Sequence, residues 1–264
     1  MNKTKTLQVV KNLNFWHLWL LAIVVIYFSI MMHEAAHWAI LQILGCQPTM
    51  GFTGIIQQWD TPPNSLDGWQ SITYPTIGTG WLRMEHLPQT SLQWGVMLIS
   101  GQCVPLLLII LGIFWYYRKP PQFAVVALMV VFINGAMAIT KIIGWWQGNL
   151  GDLYFFSLHT GVPYPILNGL IIGALGSGLV WSLQQLPCPV RRRWMRALVV
   201  AYAGTLPLLM WGNALILQLI DSTSLWGKVI WGWALPVWVI TLLIFLGGIW
   251  WLQLTHTYFT NSQE

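Results

Sequence analysis

The chain has 264 residues, of which 56% are hydrophobic and only 7% charged, where soluble domains carry roughly 25% charged residues. With 19 Trp, that composition excludes a soluble globular core and implies an all-α polytopic membrane protein of about six transmembrane helices. The net charge of +5 is spread over the loops, a pattern of membrane topology that implies no nucleic-acid surface, and Cys46, Cys103 and Cys188 lack the paired spacing of a disulfide framework or a cysteine zinc site.

The first predicted element is an apolar helix over about 15–44, preceded by Lys3, Lys5 and Lys11. A basic start before an apolar stretch is the outline of a signal peptide. This stretch is too long for a signal core, so it is read as a retained, membrane-spanning first helix. Within it stands His33-Glu34-Ala35-Ala36-His37, with no other charged residue in the run. Residues four apart share a helix face, so His33 and His37 present two imidazoles to one metal. Glu34 is placed to take a proton from water at that metal. The purely structural alternative is a polar cluster bonding to neighbouring helices, an expensive use of ionisable groups at membrane depth.

Residues 45–91 form the one sizeable stretch without helical character. Met50 to Trp59 reads as a strand, Asp60 to Asn64 as a loop, and Ile72 to Leu82 as a second extended segment, with Gly and Pro throughout. The expectation is a small β-hairpin over the membrane end of the site. Its exposed edge near Gly54 to Gln58 either pairs with an extended peptide or is an ordered surface loop without a binding role.

Five further apolar segments follow, over about 92–117, 122–146, 164–186, 196–220 and 229–254, making one integral membrane domain over 1–264. Gly169, Gly173, Ala174 and Gly178 space small residues for close helix packing. An N-terminus placed inside puts nine of the 12 basic residues on the inner side, leaving Arg83, Lys141 and Lys228 elsewhere. Both termini are then expected in the cytoplasm. The histidine motif starts ~27 Å along its helix, nearer the outer face.

A zinc site that keeps one position for water needs a third protein ligand. Asp152, in Gly148-Asn149-Leu150-Gly151-Asp152, follows the third helix among Trp145, Trp146 and Tyr154 and reaches the same outer side. It is the leading candidate. His159, His86 and Glu85 compete with it, and helix capping is its structural alternative. Asp67, in Asp67-Gly68, is explained by a turn. Asn134 and Asn213, polar within apolar helices, either pack helices or face a wet cavity. Asn134, Asn149 and His159 are candidates for lining the site beside the ligands.

On these residues the chain resembles the site-2-protease family of intramembrane zinc metalloproteases. The likeness rests on His33-Glu34-Ala35-Ala36-His37 in a membrane helix, on Asp152 in a later segment, and on Ser100-Gly101-Gln102-Cys103-Val104-Pro105 opening the second helix. It covers about 15–160 as a catalytic core; the helices over about 164–254 carry no recognised motif. The resemblance implies zinc held by His33, His37 and Asp152, with Glu34 as the general base. The chain departs from the family in lacking its membrane-embedded Asn-Pro and Leu-Asp-Gly motif and in placing the site outward by charge counting, as a divergent member would.

The expected function is therefore zinc-dependent hydrolysis of peptide bonds in membrane-anchored protein substrates, within the lipid bilayer. The alternatives are a catalytically silent chaperone or regulator of the same fold, a metal or solute transporter, and a zinc-dependent lipid hydrolase. Intact Glu34 weighs against the first, and the lack of inverted repeats against the second.

Overall fold

The computed structural model describes residues 9–74, 78–148, 151–220, 222 and 224–260. Seven helices dominate them: α1 (Phe15–Ile43), α2 (Ser91–Arg118), α3 (Pro121–Trp146), α4 (Gly151–Thr160), α5 (Tyr164–Gln185), α6 (Cys188–Leu219) and α7 (Leu235–Thr260). All but the short α4 are long and apolar enough to cross a bilayer, α7 by its Leu235–Gln253 portion. The chain is a multi-pass, predominantly helical protein with a small antiparallel sheet after its first helix, as its composition implies.

Local chemistry sets the ends of the helices that carry the site. Asn14 caps α1 by accepting the His17 amide at 2.9 Å. At its other end Gly45 takes φ +76. Its amide bonds to the Gln42 carbonyl at 3.0 Å and that of Cys46 to Leu41 at 2.9 Å, the two bonds of a Schellman stop. Thr90 and Gln93 form a reciprocal capping box at the start of α2. Helices α1 and α3 lie at the centre: α1 packs against α2, α3, α6 and α7, and α3 packs against α2 and α5. The main core is built from Leu18, Ala22, Ile26, Leu128, Phe132 and Trp194, all buried.

Between α1 and α2 the chain forms β1 (Gln57–Trp59), β2 (Trp69–Tyr74) and β3 (Gly78–Arg83), antiparallel in the order β1-β3-β2. A second ribbon, β4 (Val229–Ile230) and β5 (Trp233–Ala234), joins α6 to α7. The strand expected from Met50 to Trp59 is confined to its last three residues. Ahead of it the chain turns back, with the Gly51 amide on the Gly54 carbonyl at 2.8 Å, and Met50 bonds instead to Gly232 and Ala234 of the distant ribbon. The sixth predicted helix accordingly starts at Leu235, because residues 229–234 form that ribbon around a turn with Trp231 at φ +50 and Gly232 at φ +75. The fifth starts earlier than expected, at Cys188, and carries its four arginines within the helix.

Lys11, Arg118, Lys119 and the arginines of α6 gather at one end of the bundle, where Arg193 donates to the Leu13 carbonyl at 2.7 Å. The histidine motif lies toward the other end.

The glycines of α5 divide unexpectedly. A Cβ added at Gly169 or Gly173 meets open space, whereas the close approach of α3 to α5 is at Gly135, where a Cβ would lie 2.8 Å from the Leu179 Cα. Backbone cannot yield as a flexible side chain can. Gly135→Ala is expected to lose about 1–3 kcal/mol of stability and Gly173→Ala essentially none, as read by thermal unfolding in mild detergent.

Candidate metal centre

Three elements converge on one point. The helical repeat of α1 stacks His33 and His37 on one face, their rings edge to face at 4.9 Å between centroids. Helix α4 opens with Asp152 in its first turn. Helix α2 passes behind both, and Gly101 is what lets it do so: a Cβ there would collide with His37 Nε2 and lie 2.8 Å from His33 Nε2.

The resulting triangle has edges of 3.2 Å from His33 Nε2 to Asp152 Oδ2, 3.2 Å from His33 Nε2 to His37 Nε2, and 3.4 Å from His37 Nε2 to Asp152 Oδ2. Ligand bonds of ~2.0–2.1 Å arranged tetrahedrally separate neighbouring ligand atoms by about 3.3 Å. The donor set fits a tetrahedral ion that keeps its fourth position open, and it is the one such group of His, Cys, Asp and Glu among the described residues.

The surroundings orient the donors. His37 Nδ1 lies 2.7 Å from the Met97 carbonyl, which fixes the N–H on Nδ1 and leaves the Nε2 lone pair toward the triangle. Ser100 Oγ shares that carbonyl at 2.6 Å. Gln102, only 3% exposed, donates from Nε2 to Asp152 Oδ2 at 3.0 Å. Pro105 lacks the N–H that would otherwise engage the Gly101 carbonyl four residues back.

Glu34 and His37 face a cavity of about 250 Å³ that also touches Asp152 and Gly54. Gly54 is confined twice over: it sits at φ +120, and a Cβ there would be 2.9 Å from Glu34 Oε2. The loop carrying it is held from α6, where Asn213 Oδ1 accepts the Phe52 amide at 3.0 Å.

The structure thus brings His33, Glu34, His37 and Asp152 together. It does not bring the competing donors to them. His159 stacks on Trp94 at 5.1 Å and lies 3.3 Å from the Tyr74 hydroxyl. Burial pushes the Tyr74 phenol up to about 12 and holds the His159 imidazole below its ordinary value. Both are therefore neutral at pH 7. Glu85 and His86 are exposed in the loop before α2. Asn134, 0% exposed, joins α3 to α1 through Ser29 Oγ at 3.0 Å, and its other donor bond goes to the Val130 carbonyl. Asn149 lies outside the described residues. In the sequence Gly101 and Gln102 stand in the Ser100 to Pro105 stretch and Gly54 at the start of the expected strand edge, with none of the three assigned a place at the ligands.

No family model matches this chain, and neither a curated protein nor a solved structure matches it.

The tight fit at Gly101 yields a direct test. Gly101→Val is expected to abolish Co(II) binding, read as loss of the visible absorption of the tetrahedral ion. Gly169→Val, on the open face of α5, is expected to retain it.

Proposed function

We propose that this chain is an intramembrane zinc endopeptidase of site-2-protease type, acting on membrane-anchored protein substrates. The observation that carries the reading is the triangle of His33, His37 and Asp152 with Glu34, the residue next to His33, facing the same cavity.

Zinc, when bound by those three side chains, supplies Lewis-acid polarisation of an amide carbonyl and acidifies a coordinated water. The remaining work falls to the chain's own groups. The Glu34 carboxylate accepts the proton as water attacks and delivers it to the departing amine nitrogen. Gly54 keeps the space in front of Glu34 Oε2 clear. The Met97 carbonyl holds His37 in the required tautomer and Gln102 holds Asp152. Ile55, Leu98 and Phe155 give the cavity beside these groups apolar walls.

A membrane helix hides its amides in its own hydrogen bonds, so a substrate must open locally before it can be cut. β1 lies at an edge of the sheet, and its residues Gln57 and Trp59 border the cavity. Its free edge is suited to holding the opened segment as an added strand. With the basic end of the bundle in the cytoplasm, the site opens toward the outer side of the membrane.

Glu34→Gln is expected to keep near-stoichiometric zinc in the detergent-purified protein and to cleave no single-span peptide substrate. His37→Ala and Asp152→Ala are expected to lose the metal, and Gln102→Ala to bind it ~10–100-fold more weakly. Wild-type protein without zinc after reconstitution, or Glu34→Gln cleaving at the wild-type rate, would overturn the reading.

A further inference from the structure

The cavity next to Glu34 has a composition that proton transfer does not require. Strand alternation places Gln57, Trp59, Ile72, Tyr74 and Leu82 on one face of the sheet. The register confirms it: Gln57 and Gln70 both pair with Leu82, and Trp59 and Ile72 both pair with Gly80. Five side chains of that face line the cavity. At the middle of the face Gly80 contributes no side chain, and the Trp59 ring lies over it, 2.7 Å from where a Cβ would be. The opposite wall is Trp94, Met97 and Leu98 of α2 with Phe155 of α4.

The space therefore has a polar end, at Glu34, His37 and Asp152, and an apolar body. At about 250 Å³ it is smaller than the ~300–1,000 Å³ of sites for drug-sized ligands. One large side chain and the peptide unit bearing it fill such a volume. A charged side chain would lose its hydration there, with no opposite charge among the lining residues away from Glu34, His37 and Asp152 to replace it.

We propose that this cavity is a specificity pocket for a leucine- to phenylalanine-sized apolar side chain on the residue adjoining the scissile bond. The inference rests on the metallopeptidase reading above and adds to it which substrates are chosen. The pocket couples two parts of the fold: the ligands come from the helices, whereas half of the selecting wall comes from the sheet.

The test uses the zinc-loaded full-length protein in detergent and two small hydroxamates, N-acetyl-glycine hydroxamate and N-acetyl-leucine hydroxamate, with binding measured by calorimetry. The hydroxamate group engages zinc in both, so their ratio isolates the side chain. The leucine compound is expected to bind ~10–100-fold more tightly, the range for burying one such side chain. Leu82→Trp and, separately, Ile72→Trp fill the pocket and are expected to bring the ratio close to one. Ser71→Trp, on the opposite and exposed face of β2, is expected to keep the wild-type ratio. Equal binding of the two compounds to the wild type would overturn the pocket while leaving the metal site standing. A ratio unchanged in both filled variants would overturn it equally. Failure of both compounds to bind would remove the metallopeptidase reading, and the pocket with it.

Discussion

Two imidazoles and a carboxylate held 3.2–3.4 Å apart inside an apolar helix bundle make a demand that the surrounding structure is arranged to meet. His33 and His37, with side chains 12% and 7% exposed, lose most of their bulk water and Asp152, 34% exposed, loses part of it, and an unmatched polar atom in such a setting is costly. The Met97 carbonyl answers His37, and Gln102 answers Asp152. Gly101 answers a steric demand, since any side chain on that face of α2 would displace the imidazoles. Among the described residues His33 Nδ1 has no hydrogen-bond partner, so the two histidines are unequally braced: His37 is locked from behind and His33 is held through its Nε2 contacts. The lock on His37 depends on the first turns of α2, and thus on the Thr90 and Gln93 capping box that starts that helix.

The site also explains why α3 and α4 are separate helices. Asp152 has to arrive at the triangle from the end of α3, and a helix continuing along the α3 axis would carry it away. The chain breaks after Trp146, with Gly148 at φ +75 and Gly151 at φ +54, and α4 begins at Gly151. Its ten residues then present Asp152 to the ligands, Phe155 to the cavity, and His159 to Trp94 and Tyr74. One short element thereby supplies a donor, a wall and a brace for the sheet.

How much of this was legible beforehand depended on whether the signal was local. Helical periodicity alone places His33 and His37 on one face. Asp152 emerged because the chain has only seven acidic residues and topology put few of them on the correct side. Gln102, within the Ser100 to Pro105 stretch, was given no role of its own although it satisfies the criterion applied to Asn134, a polar side chain in an apolar helix. The criterion identifies a buried amide without saying what it bonds to: Asn134 ties α3 to α1, and Gln102 serves the site. Gly51 and Gly54 appeared as interruptions of a strand. Their reason is tertiary, since Gly54 must pass within contact of Glu34 and Gly51 must clear Asn213. The ribbon over 229–234 was absorbed into a helix because Trp and Val are apolar in either setting, and Gly232 alone marks its turn.

The helices beyond residue 160 carry no motif, yet they are mechanically joined to the chemistry. Asn213 of α6 holds the Phe52 amide at 3.0 Å, and the ribbon between α6 and α7 takes both backbone bonds of Met50, at 2.7 Å from the Met50 amide to Gly232 and 3.0 Å from Ala234 to the Met50 carbonyl. Those contacts fix the start and the middle of the Met50 to Gly54 turn, whose last residue bounds the space at Glu34. A loop bearing two glycines would otherwise sample many conformations, each presenting a different surface to the carboxylate. The C-terminal half thus acts on the site by restricting a loop that touches it, partly through the Asn213 side chain and partly through backbone hydrogen bonds of the ribbon, which leave almost no trace in residue identity. That is why a region without recognisable motif residues can be as necessary to the geometry at Glu34 as the helix that carries the motif.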